Sequence, residues 1–388
     1  MRIFFSVGEP SGDQHAAQLM QAMRDRCPEA TFCGFGGPEM QQAGLDCLYP
    51  LTELAVMGIG QVLPLIGKFY RLVGEARQFF REQRPDAVVL VDFPGFNWWI
   101  AAAARREGIP VYYYCAPQLW AWAPWRIRRE KKNIDCVLCV LPFEAEWFQS
   151  RGVRVEYVGH PFFDEVAEHP LDAETMQRLH SAAERRVAVL PGSRKQEVNA
   201  NFPVMLNVIR QLHEKHPAVR FPVACYKDWH EQRCRELIGT EYANLPIDLY
   251  VGKTSEVLAA ADCSMMVSGS VSLELLARRV PAVVMYRGSM LLEFMARLLI
   301  TCKYMSLPNL VAGRELMPEF PFSRQIPMHT RNIADRLDRW LSEPHELAAV
   351  RSELDRLADE IVETGGVRRA AQAILELLDH QPRQRQAA

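Results

Sequence analysis

No run of about 20 apolar residues occurs in the 388-residue sequence, which excludes a membrane-crossing helix. The longest uncharged stretch, 109–125, is interrupted by Pro110, Pro117 and Pro124. Excess charge of either sign is also lacking: 45 Lys and Arg stand against 47 Asp and Glu, a formal net charge of −2. Without a basic balance, nucleic acid is not expected as a partner, and any anion must be held by a local cluster. The ten cysteines show no framework spacing. Cys136 and Cys139 form a C-x-x-C inside an apolar run, with no second pair to complete a zinc set. They read as reduced core thiols of a cytoplasmic protein. Absent too are D-x-D, G-x-G-x-x-G and Gly-Lys-Ser/Thr motifs, so neither a metal nor a P-loop cofactor site is expected. No internal repeat appears, and the chain opens directly on a strand-like run, with no leader expected.

What is present is an alternation of short β-branched runs and helical periods. In the first half, strands are expected at 2–7, 31–34, 86–92, 110–115, 135–141 and 154–158, with helices near 13–26, 61–83, 96–107 and 143–150. The pattern restarts with strands at 186–191, 220–225, 247–251, 263–267 and 281–286. It implies βαβ units and two parallel sheets, an α/β protein of two Rossmann-like domains facing a cleft. Expected boundaries are 1–165, 166–343 and a helical segment 344–388, with alternation stopping after Leu310 and helices at 330–343 and 345–379. Open parallel sheets bind ligands beyond the carboxyl ends of their strands.

Four strand-to-helix turns carry candidate chemistry. Gly8-Glu9-Pro10-Ser11-Gly12-Asp13 is either a plain capped turn or an acceptor-side loop presenting Glu9. Asp92, ending the apolar run 87–91, is either a helix cap or a general base at the active edge of the sheet. Pro191-Gly192-Ser193-Arg194 offers a glycine turn, a helix mouth and a guanidinium fork, suited to a diphosphate leaving group. In the fourth, Ser268-Gly269-Ser270-Val271-Ser272-Leu273-Glu274, Ser270 and Ser272 are phosphate candidates and Glu274 a ribose acceptor. His160, before Pro161 at the domain junction, is a weaker candidate for the acceptor side.

Two segments suggest lipid. Residues 57–84 interleave Met57, Ile59, Leu65, Ile66 and Phe69 with Lys68, Arg71, Arg77, Arg81 and Arg84; they fit an interfacial helix or a core helix with a basic outer face. Trp120, Trp122 and Trp125 stand beside Arg126, Arg128, Arg129, Lys131 and Lys132, a setting for an anionic amphiphile.

Taken in order, these motifs resemble the lipid-A-disaccharide synthase family, glycosyltransferase family 19, of GT-B architecture. The matching segments include Gly8-Glu9-x-Ser11-Gly12-Asp13, Gly36-Gly37-Pro38-x-Met40, Leu54-Ala-Val-Met-Gly58, Asp92-x-Pro94-x-Phe96-Asn97, Trp120-Ala-Trp122, Leu190-Pro-Gly-Ser-Arg194 and Ser306-Leu-Pro-Asn309. The resemblance implies an inverting hexosyltransferase joining UDP-2,3-diacylglucosamine to 2,3-diacylglucosamine 1-phosphate at the inner-membrane surface. It implies Asp92 as base, Glu9 as a second acid, Arg194 on the diphosphate, and Glu274 and Asn309 on the UDP side. It also implies a homodimer exchanging C-terminal helices. A GT-B enzyme acting on a soluble UDP-sugar is the alternative. Pro10, Ala116 and Val271 depart from the residues usual in the family at those places.

Overall fold

The computed structural model describes residues 1–55 and 62–380. Met57, Gly58 and Ile59 lie outside the described residues, as do the tail 381–388 and the side chains of Val62, Leu63 and Leu65. The chain divides into two units, Met1–Asp164 joined by the chain from Glu363, and Glu165–Val362.

Among the described residues seven strands build the first unit: β1 (Arg2–Val7), β2 (Thr31–Gly36), β3 (Leu45–Pro50), β4 (Ala87–Val91), β5 (Val111–Tyr114), β6 (Cys136–Cys139) and β7 (Val155–Tyr157). Their order is β3-β2-β1-β4-β5-β6-β7 and every pairing is parallel. The central strand β4, Ala-Val-Val-Leu-Val, is buried along its whole length, as a strand covered on both faces must be. Connecting helices begin with proline at the first turn, at Pro10, Pro38, Pro94 and Pro142, where no amide hydrogen is needed.

The second unit repeats the plan with β8 (Val187–Leu190), β9 (Phe221–Cys225), β10 (Ile247–Val251), β11 (Cys263–Val267), β12 (Ala282–Arg287) and β13 (Glu319–Phe322), in the order β10-β9-β8-β11-β12-β13. Sheet order reverses between β1 and β4 in one unit and between β8 and β11 in the other. These are the switch points where such sheets take ligands.

Three expectations need correction. β3 and β13 were not expected from the sequence: both are edge strands, β13 carries Pro321, and edge strands tolerate proline and polar residues. Alternation therefore continues past Leu310. The C-terminal segment is not one helix from 345 to 379, nor a unit by itself. The helix Pro344–Ile361 packs Leu354, Leu357, Ala358 and Ile361 into the second unit, whereas the helix Gly366–Asp379 lies with the first. The break contains Gly365, in the left-handed region at φ 86°. There the Asp164 carboxylate accepts the amide hydrogens of Gly365 and, at 2.8 Å, Val367. All ten cysteines are free thiols, most of them buried.

Candidate active site

In the first unit, the ends of β1 and β4 bring Glu9 and Asp92 together. Glu9 caps the helix Pro10–Arg26 through its backbone, the Asp13 amide hydrogen bonding its carbonyl at 2.9 Å. Gly12 sits in that first turn because a methyl group there would stand 3.1 Å from Oδ2 of Asp92. Asp92 and Phe93 both adopt left-handed backbone, φ 46° and 48°, a costly state for residues with a Cβ.

The surroundings hold that turn in place. Asn97 is fully buried; its Nδ2 donates to the carbonyls of Asp92 (2.7 Å), Val91 (3.1 Å) and Ser6 (3.1 Å), and its Oδ1 accepts from the Ser6 hydroxyl at 2.7 Å. The Tyr113 hydroxyl donates to the same Asp92 carbonyl at 2.8 Å. Burial pushes the Asp92 carboxyl up to about 7, helped by the neighbouring charges of Glu9 and Glu144. A carboxyl so placed is suited to general-base work near neutral pH.

Asp13 has a different part from a cap of its own helix. It is buried and accepts the amide hydrogens of Gly37 (2.9 Å), Glu39 (3.0 Å) and Met40 (3.2 Å), capping the helix Pro38–Gln42. The resembling segment Gly36-Gly37-Pro38 is thus tied to the Gly8 turn.

In the second unit, β8 runs into Gly192, whose φ of 109° suits glycine alone. The helix Lys195–Lys215 follows. Its first amides are not open, as the sequence reading expected: Glu197 Oε2 accepts from the Ser193 and Arg194 amides at 3.0 and 3.1 Å. Glu197 Oε1 lies 3.3 Å from Arg194 Nη1, while the Arg194 side chain is 78% exposed. His230 braces the turn, its Nε2 2.9 Å from the Ser193 carbonyl.

At the end of β11, Gly269 and Ser270 are exposed with open space around Gly269. Ser272 is not turned the same way: its hydroxyl donates to the Gly269 carbonyl at 2.8 Å. Glu274 is buried, and its Oε1 accepts from the Ser255 hydroxyl (2.7 Å) and Arg278 Nε (2.9 Å). Asn309 is also inward. Its Nδ2 donates to the Met317 carbonyl and Glu319 Oε1, and its Oδ1 accepts the Leu316 and Met317 amides, all within 2.8 Å. Glu319 gathers the Met305 and Ser306 amides as well. These bonds make Asn309 and Glu319 organisers of the loop before β13.

The lipid-side candidates separate. Trp120 is buried, with its Nε1 donating to Glu144 at 2.9 Å, so it is a core residue. Phe69 packs on Phe93 and Phe96, with centroids 6.0 and 5.5 Å away, and turns inward. Ile66 (42%), Tyr70 (64%) and Trp122 (40%) are exposed. His160 is half-buried against His15 and Phe163, its Nδ1 accepting the Phe162 amide at 3.2 Å. Arg126, Arg128 and Arg129 lie on or beside the helix Ile127–Asn133.

Sequence reasoning missed Tyr113, Glu197, His230 and Glu319; it placed Glu144 in the matching segment Leu141-Pro-Phe-Glu144 and Asn97 in that of Asp92, and assigned neither a part. Glu197 carried a signal in its spacing three residues beyond Arg194, the capping-box interval. It missed also the outer face of the helix Met290–Leu299, where Met290, Phe294 and Leu298 are 57–65% exposed. Among the described residues no group of three His, Cys, Asp or Glu is placed to hold a metal, and no described helix is long and apolar enough to cross a membrane.

Two parallel-sheet units with glycine turns at their switch points define the GT-B-like class of α/β proteins. Solved structures of that class superpose along nearly the whole chain. S. aureus MnaA, in a co-structure with UDP, has a TM-score of 0.67 at 13% identity and covers 97% of both chains. CalG4, the calicheamicin glycosyltransferase, has a TM-score of 0.62 at 16% identity and covers 97% of this chain and 98% of its own. At such identities the likeness shows the fold.

Sequence comparison shows the family. The model described as lipid-A-disaccharide synthetase matches residues 3–349. The lipid-A-disaccharide synthase of Alcanivorax borkumensis is 36% identical over 377 residues, 96% of each chain. That of Azotobacter vinelandii is 35% identical over 384 residues, 98% of each. The chain belongs to the lipid-A-disaccharide synthase family, glycosyltransferases of lipid A biosynthesis.

Proposed function

We propose that the protein transfers the diacylglucosamine unit of UDP-2,3-diacylglucosamine to the 6-hydroxyl of 2,3-diacylglucosamine 1-phosphate, giving a β(1→6) disaccharide 1-phosphate and UDP. The observation that carries this reading is Asp92, a carboxyl held near neutrality in a left-handed turn at the switch point of its sheet. Asp92 takes the proton of the acceptor hydroxyl as that oxygen bonds to the anomeric carbon. The bond from that carbon to the phosphate oxygen breaks in the same displacement, and UDP leaves with the electron pair. One direct displacement inverts the anomeric centre and needs no covalent enzyme intermediate.

Glu9 raises the basicity of Asp92 through its charge. The exposed guanidinium of Arg194 offsets charge growing on the diphosphate, so this reading invokes no metal. Gly192, Ser193, Gly269 and Ser270 line the donor side; Glu274 and Asn309 shape it from within. In this reading the substrates are lipids and the protein works at the cytoplasmic face of the inner membrane. Exposed Ile66 and Tyr70 in one unit, and Met290, Phe294 and Leu298 in the other, support a peripheral attachment.

Exchange of C-terminal helices between two copies would rebuild the Asp164–Val367 contact from a partner chain. Light scattering that returns only monomer at micromolar concentration removes that dimer.

A mass-spectrometric assay with both acylated sugars tests the reaction. Disaccharide and UDP should appear together, and Asp92→Ala should lose at least ~100-fold in turnover while keeping its fold. Turnover of unacylated UDP-N-acetylglucosamine instead would favour the soluble-sugar alternative.

A further inference from the structure

The segment between β5 and β6 holds two arginines in an unusual setting. The guanidinium carbon of Arg126 lies 4.2 Å from the ring centroid of Trp122 and 5.5 Å from that of Trp98. That of Arg129 lies 4.9 Å from the Trp98 centroid. Trp98 is a fixed platform: it is buried, and its Nε1 donates to the buried Glu130 carboxylate at 2.7 Å.

Some arginines of this unit have carboxylate partners. Arg81 pairs with Glu107 at 3.0 Å and Arg105 with Asp135 at 2.6 Å. Among the described residues, Arg126 and Arg129 make no ion pair. Burial and the neighbouring Arg129 both bring Arg126 below its usual value. Burial pushes Glu130 up to about 7, which weakens it as a counter-charge. Two guanidinium groups held on one indole, with no anion between them, form a prepared seat.

We propose that Arg126 and Arg129, clamped on Trp98 and Trp122, bind the phosphate monoester of the lipid acceptor. A phosphate monoester is a dianion whose oxygens match two guanidinium forks. Beside the seat, the exposed rings of Trp122 and Trp125 offer apolar cover for an acyl chain. The segment that holds the seat leaves from the carboxyl end of β5, the parallel neighbour of β4, whose own carboxyl end carries Asp92. The assignment rests on the reading above, since it takes the phosphorylated sugar as acceptor; a phospholipid headgroup is the other source of the same chemistry.

Calorimetric binding without donor separates these cases. The probes are a short-chain diacylglucosamine 1-phosphate, the same sugar without phosphate, and vesicles of phosphatidylglycerol in phosphatidylcholine. The parent protein should prefer the phosphorylated sugar by at least ~10-fold, and Arg126→Ala with Arg129→Ala should abolish the preference. Lys132→Ala, which removes a charge from the same helix outside the clamp, should keep it. Arg126→Lys retains a cation without the fork and should fall between the two, which covers the case of a misfolded double variant. A preference that survives in the double variant overturns the assignment. So does an equal affinity of the parent for both sugars, or a double variant that loses only vesicle binding. Because no turnover is read, a failed transferase assay beside a measured phosphate preference sinks the reaction and leaves the seat standing.

Discussion

Asn97 donates to the backbone carbonyl of Asp92 at 2.7 Å and thereby holds a non-glycine residue in left-handed backbone at the end of β4. The same amide ties β1 to β4 through the Ser6 and Val91 carbonyls. Asn97→Ala strips the side-chain donor from these buried carbonyls and the acceptor from the Ser6 hydroxyl, at a cost of about 2–4 kcal/mol in urea unfolding. Tyr113→Phe removes one bond to the Asp92 carbonyl and should cost about 1 kcal/mol. Both variants should lower kcat more than they raise either KM, because each loosens the base and not the substrates. A Tyr113→Phe enzyme with parental kcat would show that this bond does not orient Asp92.

The Asp92 carboxyl, raised to about 7, makes activity and stability run in opposite directions with pH. The base must be ionised, so kcat/KM should climb as pH passes through about 7 and level above it. The folded value exceeds the unfolded one of 3.8, so the contribution to stability is complete below 3.8 and is lost as pH rises to about 7. Asp92→Asn removes that loss. That variant should be the more stable protein at pH 8, by up to about 4 kcal/mol, and indistinguishable at pH 4. Equal melting temperatures at pH 8 would place the carboxyl in ordinary solvent.

Much of this was legible in the sequence, and the remainder was hidden for physical reasons. Apolar runs such as 87–91 and 263–267 announce central parallel strands, since both faces are covered. Edge strands β3 and β13 announce nothing, because they need neither alternation nor freedom from proline. The turns at Gly8, Asp92, Gly192 and Gly269 could be found because glycine and acid stand directly after buried strands. What each polar group bonds to could not. Asp13 read as the cap of its own turn and Asn309 as a site residue, yet their partners at 37–40 and 316–319 become neighbours only in the fold. The outward face of the helix Met290–Leu299 carried no distinct signal, since burial depends on what packs there.

Glu197 holds the amides that a diphosphate at the Gly192 turn would be expected to take. A bound anion therefore meets a carboxylate already seated. Glu197→Gln keeps the helix cap and removes the charge, and UDP should bind ~3–10-fold more tightly at low salt. Arg194→Ala should weaken UDP by at least ~10-fold. Titration calorimetry reads both. If Glu197→Gln weakens UDP instead, the carboxylate serves to aim Arg194 rather than to occupy its ligand's place.

Exposed apolar side chains allow the proposed membrane attachment to be tested. Replacing Met290, Phe294 and Leu298 by Ser should reduce co-sedimentation with anionic vesicles several-fold, as about 0.8 kcal/mol is lost for each methylene withdrawn from lipid. Ile66→Ser with Tyr70→Ser should do the same from the other unit, while Phe69→Ser should destabilise the fold, because Phe69 packs on Phe93 and Phe96. Unchanged vesicle binding by the triple variant removes the second unit's helix from the membrane contact.

His15 and His160 face one another with ring centroids 6.3 Å apart. Burial lowers His15 to about 4; burial, with the neighbouring His15, lowers His160 to about 3. Both folded values lie below the unfolded 6.5, so the pair contributes stability above pH 6.5 and loses it as pH falls towards 4. Acid should therefore destabilise the first unit before ordinary carboxylates titrate, and His160→Phe should flatten the melting temperature between pH 6.5 and 4. The ring already packs on Phe162 and Phe163, so phenylalanine keeps the contacts while removing the titrating nitrogen, at the cost of the bond from the Phe162 amide. An unaltered slope in that variant would assign the acid sensitivity to His15 alone.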